Sequence, residues 1–247
     1  MLAAAQIGFV QLTSVSAQTN QDDKIATSQG DAMIHAVHHS GVVFTWSGKR
    51  IVVDPTPWPP SANSDAVNFK GANPPDLILV THEHPDHFSL PTLNDLAGPK
   101  TVLVVNQSVY GMLPPALQMK AKAIKNGEKG TYAGVTVEAV PAYNVTADRL
   151  MFHPEGRDNG YVLTLGGKRI YLAGDTEETP ELKVLPNIDA AFVPMNLPYT
   201  MTPDAAATWV KDFKPKVVYP YHYGDSDVKR FQTMVSSTSS VKMLKWY

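Results

Sequence analysis

The chain has 247 residues, 43% hydrophobic and 18% charged, the balance of a folded globular protein rather than a disordered or membrane-embedded one. With 21 Lys and Arg against 23 Asp and Glu there is no basic excess of the kind that neutralising a nucleic-acid backbone requires, so nucleic acid is disfavoured as a partner. The absence of cysteine excludes disulfides, a thiol nucleophile and thiolate metal sites together. Any metal must be held by His and carboxylates.

Residues 2–17 (LAAAQIGFVQLTSVSA) are mildly apolar and end on Val15-Ser16-Ala17, the small-residue pattern of a signal-peptidase site. The run lacks a positive start and is interrupted by Gln6 and Gln11. Residues 1–17 are therefore either a secretory signal, with a periplasmic or secreted destination, or a disordered tail on a cytoplasmic protein. No apolar run approaches the roughly 20 residues that a transmembrane helix needs. One folded domain is expected over residues 33–245.

A polar segment, 18–31, precedes short β-rich runs at Met33–His39, Val42–Trp46 and Arg50–Val53, punctuated by Ser40-Gly41 and Ser47-Gly48. This reads as an antiparallel meander. Residues 54–75, rich in Pro, Asn and Ser, cannot continue a ladder and predict a long surface loop. Leu77–Val80 is a short buried strand, 89–96 a helix, Thr101–Val105 a strand and 107–119 a broken helical stretch. The second half echoes this order, with strands near 131–140, 161–165 and 169–173, helix 180–185, strand 190–193, helix 203–212, strand 217–219 and helix 226–235. Meandering strands followed by strands alternating with helices predict two packed sheets with helices on the outer faces, an α/β sandwich of four layers.

The segment Thr81-His82-Glu83-His84-Pro85-Asp86-His87 directly follows the buried strand. On extended backbone, His82 and His84 project from one side and can meet one cation. Asp86 and His87 lie beyond the turn at Pro85 and can serve a second. A composition this poor in His predicts only roughly 0.0005 such HxHxDH windows by chance. Further ligands are expected at later strand ends. Asp175 follows the apolar IYLA and Gly174, and His222 follows the strand ending at Tyr219, in Tyr219-Pro220-Tyr221-His222. Taken singly, Gly174-Asp175 also reads as a turn and His222 as a buried core histidine.

HxHxDH, then Gly-Asp-Thr after a strand, then a late His resembles the metallo-β-lactamase fold superfamily of binuclear metallohydrolases. More narrowly, Ile51–Pro55 (IVVDP), Ala173–Glu177 (AGDTE), Tyr199–Ala206 (YTMTPDAA) and Tyr219–Gly224 (YPYHYG) look like the branch containing ascorbate-6-phosphate lactonase and phospholipase D-type relatives. The resemblance implies two divalent metal ions, zinc foremost with manganese or another ion as alternatives. It makes His82 and His84 ligands of the first, Asp86, His87 and His222 ligands of the second, and Asp175 the bridge. A water held between the ions would be the nucleophile, with Asp86 able to accept its proton.

The family usually supplies a third His to the first metal, and here the matching stretch, Val140–Asn144, has Asn144 where His is expected. Either His153 reaches in from a shifted loop, or Asn144 binds through its amide oxygen, or the first site is weak. Imidazole is the better ligand for zinc-like ions, which favours His153. By the same resemblance His39, with Ser40, supports the ligands from behind, while strand packing is the plain alternative for His35, His38 and His39. Asp54 could orient a ligand His by accepting its second N–H. Trp58, Tyr199, Met201 and Tyr221 are candidates to line a substrate pocket.

These readings point to a metal-dependent hydrolase cleaving a lactone, ester or amide in a small molecule. A phosphodiesterase on the same site would want nearby cations, for which Arg149, Arg157 and Lys168 are candidates. The third reading is a non-catalytic binding module with a degenerate first site, against which stands the retention of every other ligand-type residue.

Overall fold

The structure, a computed structural model, describes residues 21–58 and 69–247. The expected signal segment 1–17 and residues 59–68 of the Pro-rich loop lie outside the described residues.

The two halves of the chain repeat one topology. The first half runs β1 (Asp22–Thr27), β2 (Gly30–His38), β3 (Gly41–Trp46), β4 (Lys49–Val53), β5 (Leu77–Val80), α1 (Leu90–Leu96), β6 (Val102–Val105), α2 (Gln107–Met112), α3 (Pro115–Gln118) and β7 (Ala121–Ala123). The second runs β8 (Lys129–Tyr132), β9 (Val135–Ala142), β10 (Asp158–Leu165), β11 (Lys168–Leu172), α4 (Pro180–Lys183), β12 (Ala190–Pro194), α5 (Pro203–Phe213), β13 (Val217–Tyr221), α6 (Val228–Val235) and β14 (Ser240–Val241). Each half forms a seven-stranded sheet in sequential order. Its first four strands pair antiparallel and the remaining ones parallel.

Three cores stack between four layers. Alternate residues of both sheets, among them Phe44, Ile51, Leu79, Tyr161, Leu172 and Phe192, meet in the central one. The other faces of the sheets pack on helices, Val52, Ile78 and Val80 beside Leu93 and Val109 on one side, Val162 and Val193 beside Trp209 and Phe231 on the other. This is the expected four-layer sandwich, and it accounts for the uninterrupted apolar runs of β5 and β12, which are covered on both faces. Among the described residues, five of the six helices start on Ser89, Asn106, Thr179, Thr202 or Asp227, whose side-chain oxygen accepts a backbone N–H of the first turn, as capping requires.

Candidate metal centre

The strands that feed the site end in the same local way. His39 after β2, Asp54 after β4, Gly174 after β11 and His222 after β13 all have positive φ, 55°, 45°, 64° and 46°. Such backbone is costly for residues other than glycine and clusters where surrounding structure enforces it. At Gly174 a Cβ would sit 3.0 Å from Cβ of Thr81, so glycine lets β11 deliver Asp175 against the end of β5. That end is fixed by three donors. Tyr161 Oη bonds to the Val80 carbonyl at 2.8 Å, and Asn106 Nδ2 and Asn159 N bond to that of Thr81 at 3.0 and 3.1 Å.

His82, His84 and His153 come together, with ring centroids 4.6–5.0 Å apart and Nε2 of His153 3.2 Å from Nδ1 of His84. Asn144 is hydrogen-bonded to His153 from behind. Its Nδ2 donates to the Tyr199 carbonyl at 2.9 Å, which leaves Oδ1 to accept from Nδ1 of His153 at 2.6 Å. The Nε2 lone pair of His153 therefore faces the cluster. A similar relay sets His82. The Thr81 hydroxyl donates to Asp54 Oδ2 and so accepts from Nδ1 of His82 at 3.0 Å, leaving Nε2 as the inward atom.

Asp86, His87 and His222 form a second group. The buried carboxylate of Asp54 accepts from Nδ1 of His87 at 2.8 Å and from the Thr81 amide at 2.8 Å, the orienting contact expected for it. Nε2 of His222 lies 3.3 Å from Asp86 Oδ2 and 3.3 Å from Asp175 Oδ2. Asp175 stands between the groups, with Oδ1 3.2 Å from His87 Nε2 and Oδ2 3.5 Å from His153 Nε2. His39 also reaches this group, its Nε2 3.0 Å from Asp86 Oδ2, and could count among the nitrogen ligands by distance alone.

The donor set fits divalent cations. Nε2 of His82 is buried and makes no hydrogen bond among the described residues, a costly arrangement unless something else pairs with it, while Nε2 of His87 and Oδ1 of Asp175 face each other at 3.2 Å. Burial pushes His82 well below its ordinary value and His153 and His39 down to about 4, so these rings are neutral, and His82 and His153 have lone pairs to offer. Burial also works against the charged form of His87, but the carboxylates of Asp175, Asp86 and Asp54 outweigh it and hold its pKa well above normal. Asp86 and Asp175 are raised by burial and then carried far below the usual carboxylate range by the surrounding histidines. Both are ionised.

A pocket of about 300 Å³ opens onto the cluster. Its walls are Trp58, Phe152 and Tyr199, its floor includes His84, Asp86 and Asp175, and Asn196 contributes a neutral amide. Trp58 and Tyr199 stand where the sequence placed them. Tyr221 and Met201 do not, being 1% and 2% exposed in the cores; the Tyr221 hydroxyl instead accepts from the Gly174 amide at 2.7 Å, steadying the turn before Asp175. No candidate cation lines the pocket. Lys168 pairs with Asp189 at the far end of β11, Arg157 grips Asp158 and Glu83, and Arg149 pairs with Glu177 at 2.6 Å.

Glu177 was not legible as a site residue. Its carboxylate accepts from Val145 N and Thr146 N, both at 2.7 Å, and from the Thr146 hydroxyl at 2.8 Å, anchoring the loop that carries Asn144 and His153. Phe152 and Asn196 also went unread. For Phe152 the signal was present, since it precedes His153 directly.

Two face-to-face mixed sheets with a His and Asp cluster at their common strand ends define a metallo-β-lactamase fold protein with a metal-binding site. The family model described as "Beta-lactamase superfamily domain" matches residues 33–222. The chain is 32% identical over 217 residues to the UPF0173 metal-dependent hydrolase of Polynucleobacter asymbioticus, covering 76% of this chain and 72% of that protein. It is 33% identical over 193 residues to that of Thermus thermophilus, covering 75% and 80%. A crystal structure of a protein from Parabacteroides distasonis superposes with a TM-score of 0.83 at 38% identity, covering 92% of this chain and all of that one. YhfI of Bacillus subtilis, at 13% identity, a TM-score of 0.66 and coverage of 84% and 89%, shares the fold. The chain belongs to the β-lactamase superfamily and is a metal-dependent hydrolase.

Proposed function

We propose that the protein hydrolyses the carbonyl bond of a lactone, ester or amide in a small molecule, using two divalent cations. His82, His84 and His153 would hold one, Asp86, His87 and His222 the other, and Asp175 would face both. Imidazole-rich sets of this kind suit zinc, and manganese or a related ion is compatible with the carboxylates. Such a pair supplies Lewis-acid polarisation of the scissile bond and makes water a competent nucleophile near neutral pH. The observation that carries the reading is the convergence of these oriented rings and two ionised carboxylates on one pocket without a cationic side chain.

The chain's own groups divide the remaining work. Thr81, Asp54 and Asn144 fix the rings of His82, His87 and His153, so that no reorganisation is needed when substrate arrives. Asp86 lines the pocket and is the carboxylate placed to accept the proton released on attack. Trp58, Phe152 and Tyr199 confine the substrate and exclude bulk water.

A phosphodiester is the poorer substrate on these grounds. No Lys or Arg lines the pocket, and the segments outside the described residues, 1–20 and 59–68, contain neither residue type. The test is a panel of γ-butyrolactone, p-nitrophenyl acetate, an acetanilide and bis(p-nitrophenyl) phosphate, assayed with protein reloaded with Zn²⁺ or Mn²⁺ and again after chelation. Metal-dependent turnover of a carbonyl substrate is expected. Turnover of the phosphodiester alone, or of none of the four, overturns the reading.

A further inference from the structure

Five of the ten large hydrophobic side chains that are strongly exposed among the described residues lie on two segments at one place. Val145, Leu150 and Met151 belong to the loop carrying His153, and Leu197 and Tyr199 to the turn after β12, with exposures from 44% to 76%. The two segments are bound together. Asn144 donates to the Tyr199 carbonyl, Arg149 donates to the Thr200 carbonyl at 2.7 Å, and the rings of Phe152 and Tyr199 pack edge to face at 5.2 Å. Phe152, Asn196 and Tyr199 of the same segments line the pocket. Exposed apolar surface grouped on the two segments that also line a pocket is the mark of a surface that meets an apolar ligand, whereas scattered residues of this kind need no explanation.

We propose that the substrate carries a hydrocarbon or aryl tail that leaves the metal centre between Phe152, Tyr199 and Trp58 and passes out over Met151 and Leu197. The proposal rests on the hydrolase reading above for the position of the reacting carbonyl; the tail is argued from the walls alone. Chemistry within the pocket agrees with it. Among the described residues its carboxylates are Asp86 and Asp175, which belong to the cluster at its floor, and its upper walls are aromatic, so a sugar or a charged head group would find few partners there. A tail laid on three aromatic walls would exchange water for packed surface at about fourfold in affinity per fully buried methylene.

The test compares γ-butyrolactone with γ-octalactone, which differ only in a butyl tail, on the purified full-length protein. Ligand-observed NMR on metal-free protein gives the two affinities, and turnover after metal reloading gives kcat/KM. Tighter binding of the tailed lactone by roughly 10- to 100-fold is expected, with a matching rise in kcat/KM carried by KM. Phe152→Ala should narrow the ratio between the lactones. So should Met151→Ser, which alters a side chain 76% exposed and leaves the cores intact. Equal affinity for both lactones overturns the tail proposal even where both are hydrolysed. A tail preference in binding without turnover of either lactone upholds it and removes lactones from the hydrolase reading, leaving the ester and amide substrates of the panel to decide that reading.

Discussion

The hydroxyl of Tyr247 accepts from the backbone amides of Tyr223 and Gly224, both at 3.1 Å, and lies 3.0 Å from Nδ1 of His39. With both lone pairs of the phenol engaged, its proton goes to His39, whose Nε2–H is then left to donate to Asp86. His39, close enough to count as a ligand, is thereby committed as a donor that holds the Asp86 carboxylate in place. In ¹⁵N-histidine NMR of the metal-free protein His39 should carry its proton on Nε2, and Tyr247→Phe should release that preference while both cations still bind. Protonation of Nδ1 in the parent protein would show that His39 is instead free to bind metal.

Glu177 joins the loop 144–153 to the turn beside Asp175. Glu177→Ala leaves Arg149 without its buried partner and two backbone amides unpaired, a loss of roughly 3–5 kcal/mol in stability. Amide exchange at Val145 and Thr146 should accelerate, and affinity for the cation at His82, His84 and His153 should fall at least tenfold. Unchanged exchange at these amides would contradict the anchoring role.

Asp54 accepts from Thr81 and His87 and, among the described residues, makes no other side-chain contact of this kind. Asp54→Asn turns one of these acceptors into a donor facing a donor. Metal titration should show a loss of about 10- to 100-fold in affinity, the range for partners that orient ligand rings, with the cation at His87 most affected.

Gly174 occupies backbone that a side chain disfavours and has Thr81 against it. Gly174→Ala should cost roughly 2–4 kcal/mol, from conformational strain and overpacking together, a fall of about 5–10 °C in Tm for a chain of this size. A melt within a degree of the parent would mean that Thr81 yields freely.

Much of this site could be read before the fold was known because HxHxDH packs its ligands into one turn after an apolar strand, where spacing alone carries the chemistry. His153 was reachable by elimination as well. The elements missed are those whose partners lie far along the chain or whose own pattern is weak. β1 (DDKIAT) is an edge strand paired only with β2, so charged residues cover it and it reads as a polar linker. β7 and β14, of three and two residues, are too short to show a period. The single strand expected over 131–140 is a hairpin, β8 and β9, turned at Ala133 and Gly134, both with positive φ; glycine marked that turn, but alanine hid half of it. Glu177 and Tyr247 act through backbone amides 31 or 32 and 23 or 24 residues away, contacts that no local pattern announces. Tyr221 adjoins His222, yet strand alternation turns its side chain into the core.

Two cations are expected to bind, one of them through His153 with Asn144 only orienting the ring. Elemental mass spectrometry of the purified protein, His153→Ala and Asn144→Ala, each reloaded with Zn²⁺ and desalted, tests it most directly. Two ions per chain are expected in the parent and in Asn144→Ala, and one in His153→Ala. Two ions in His153→Ala with one in Asn144→Ala, or fewer than two in the parent, would contradict the account.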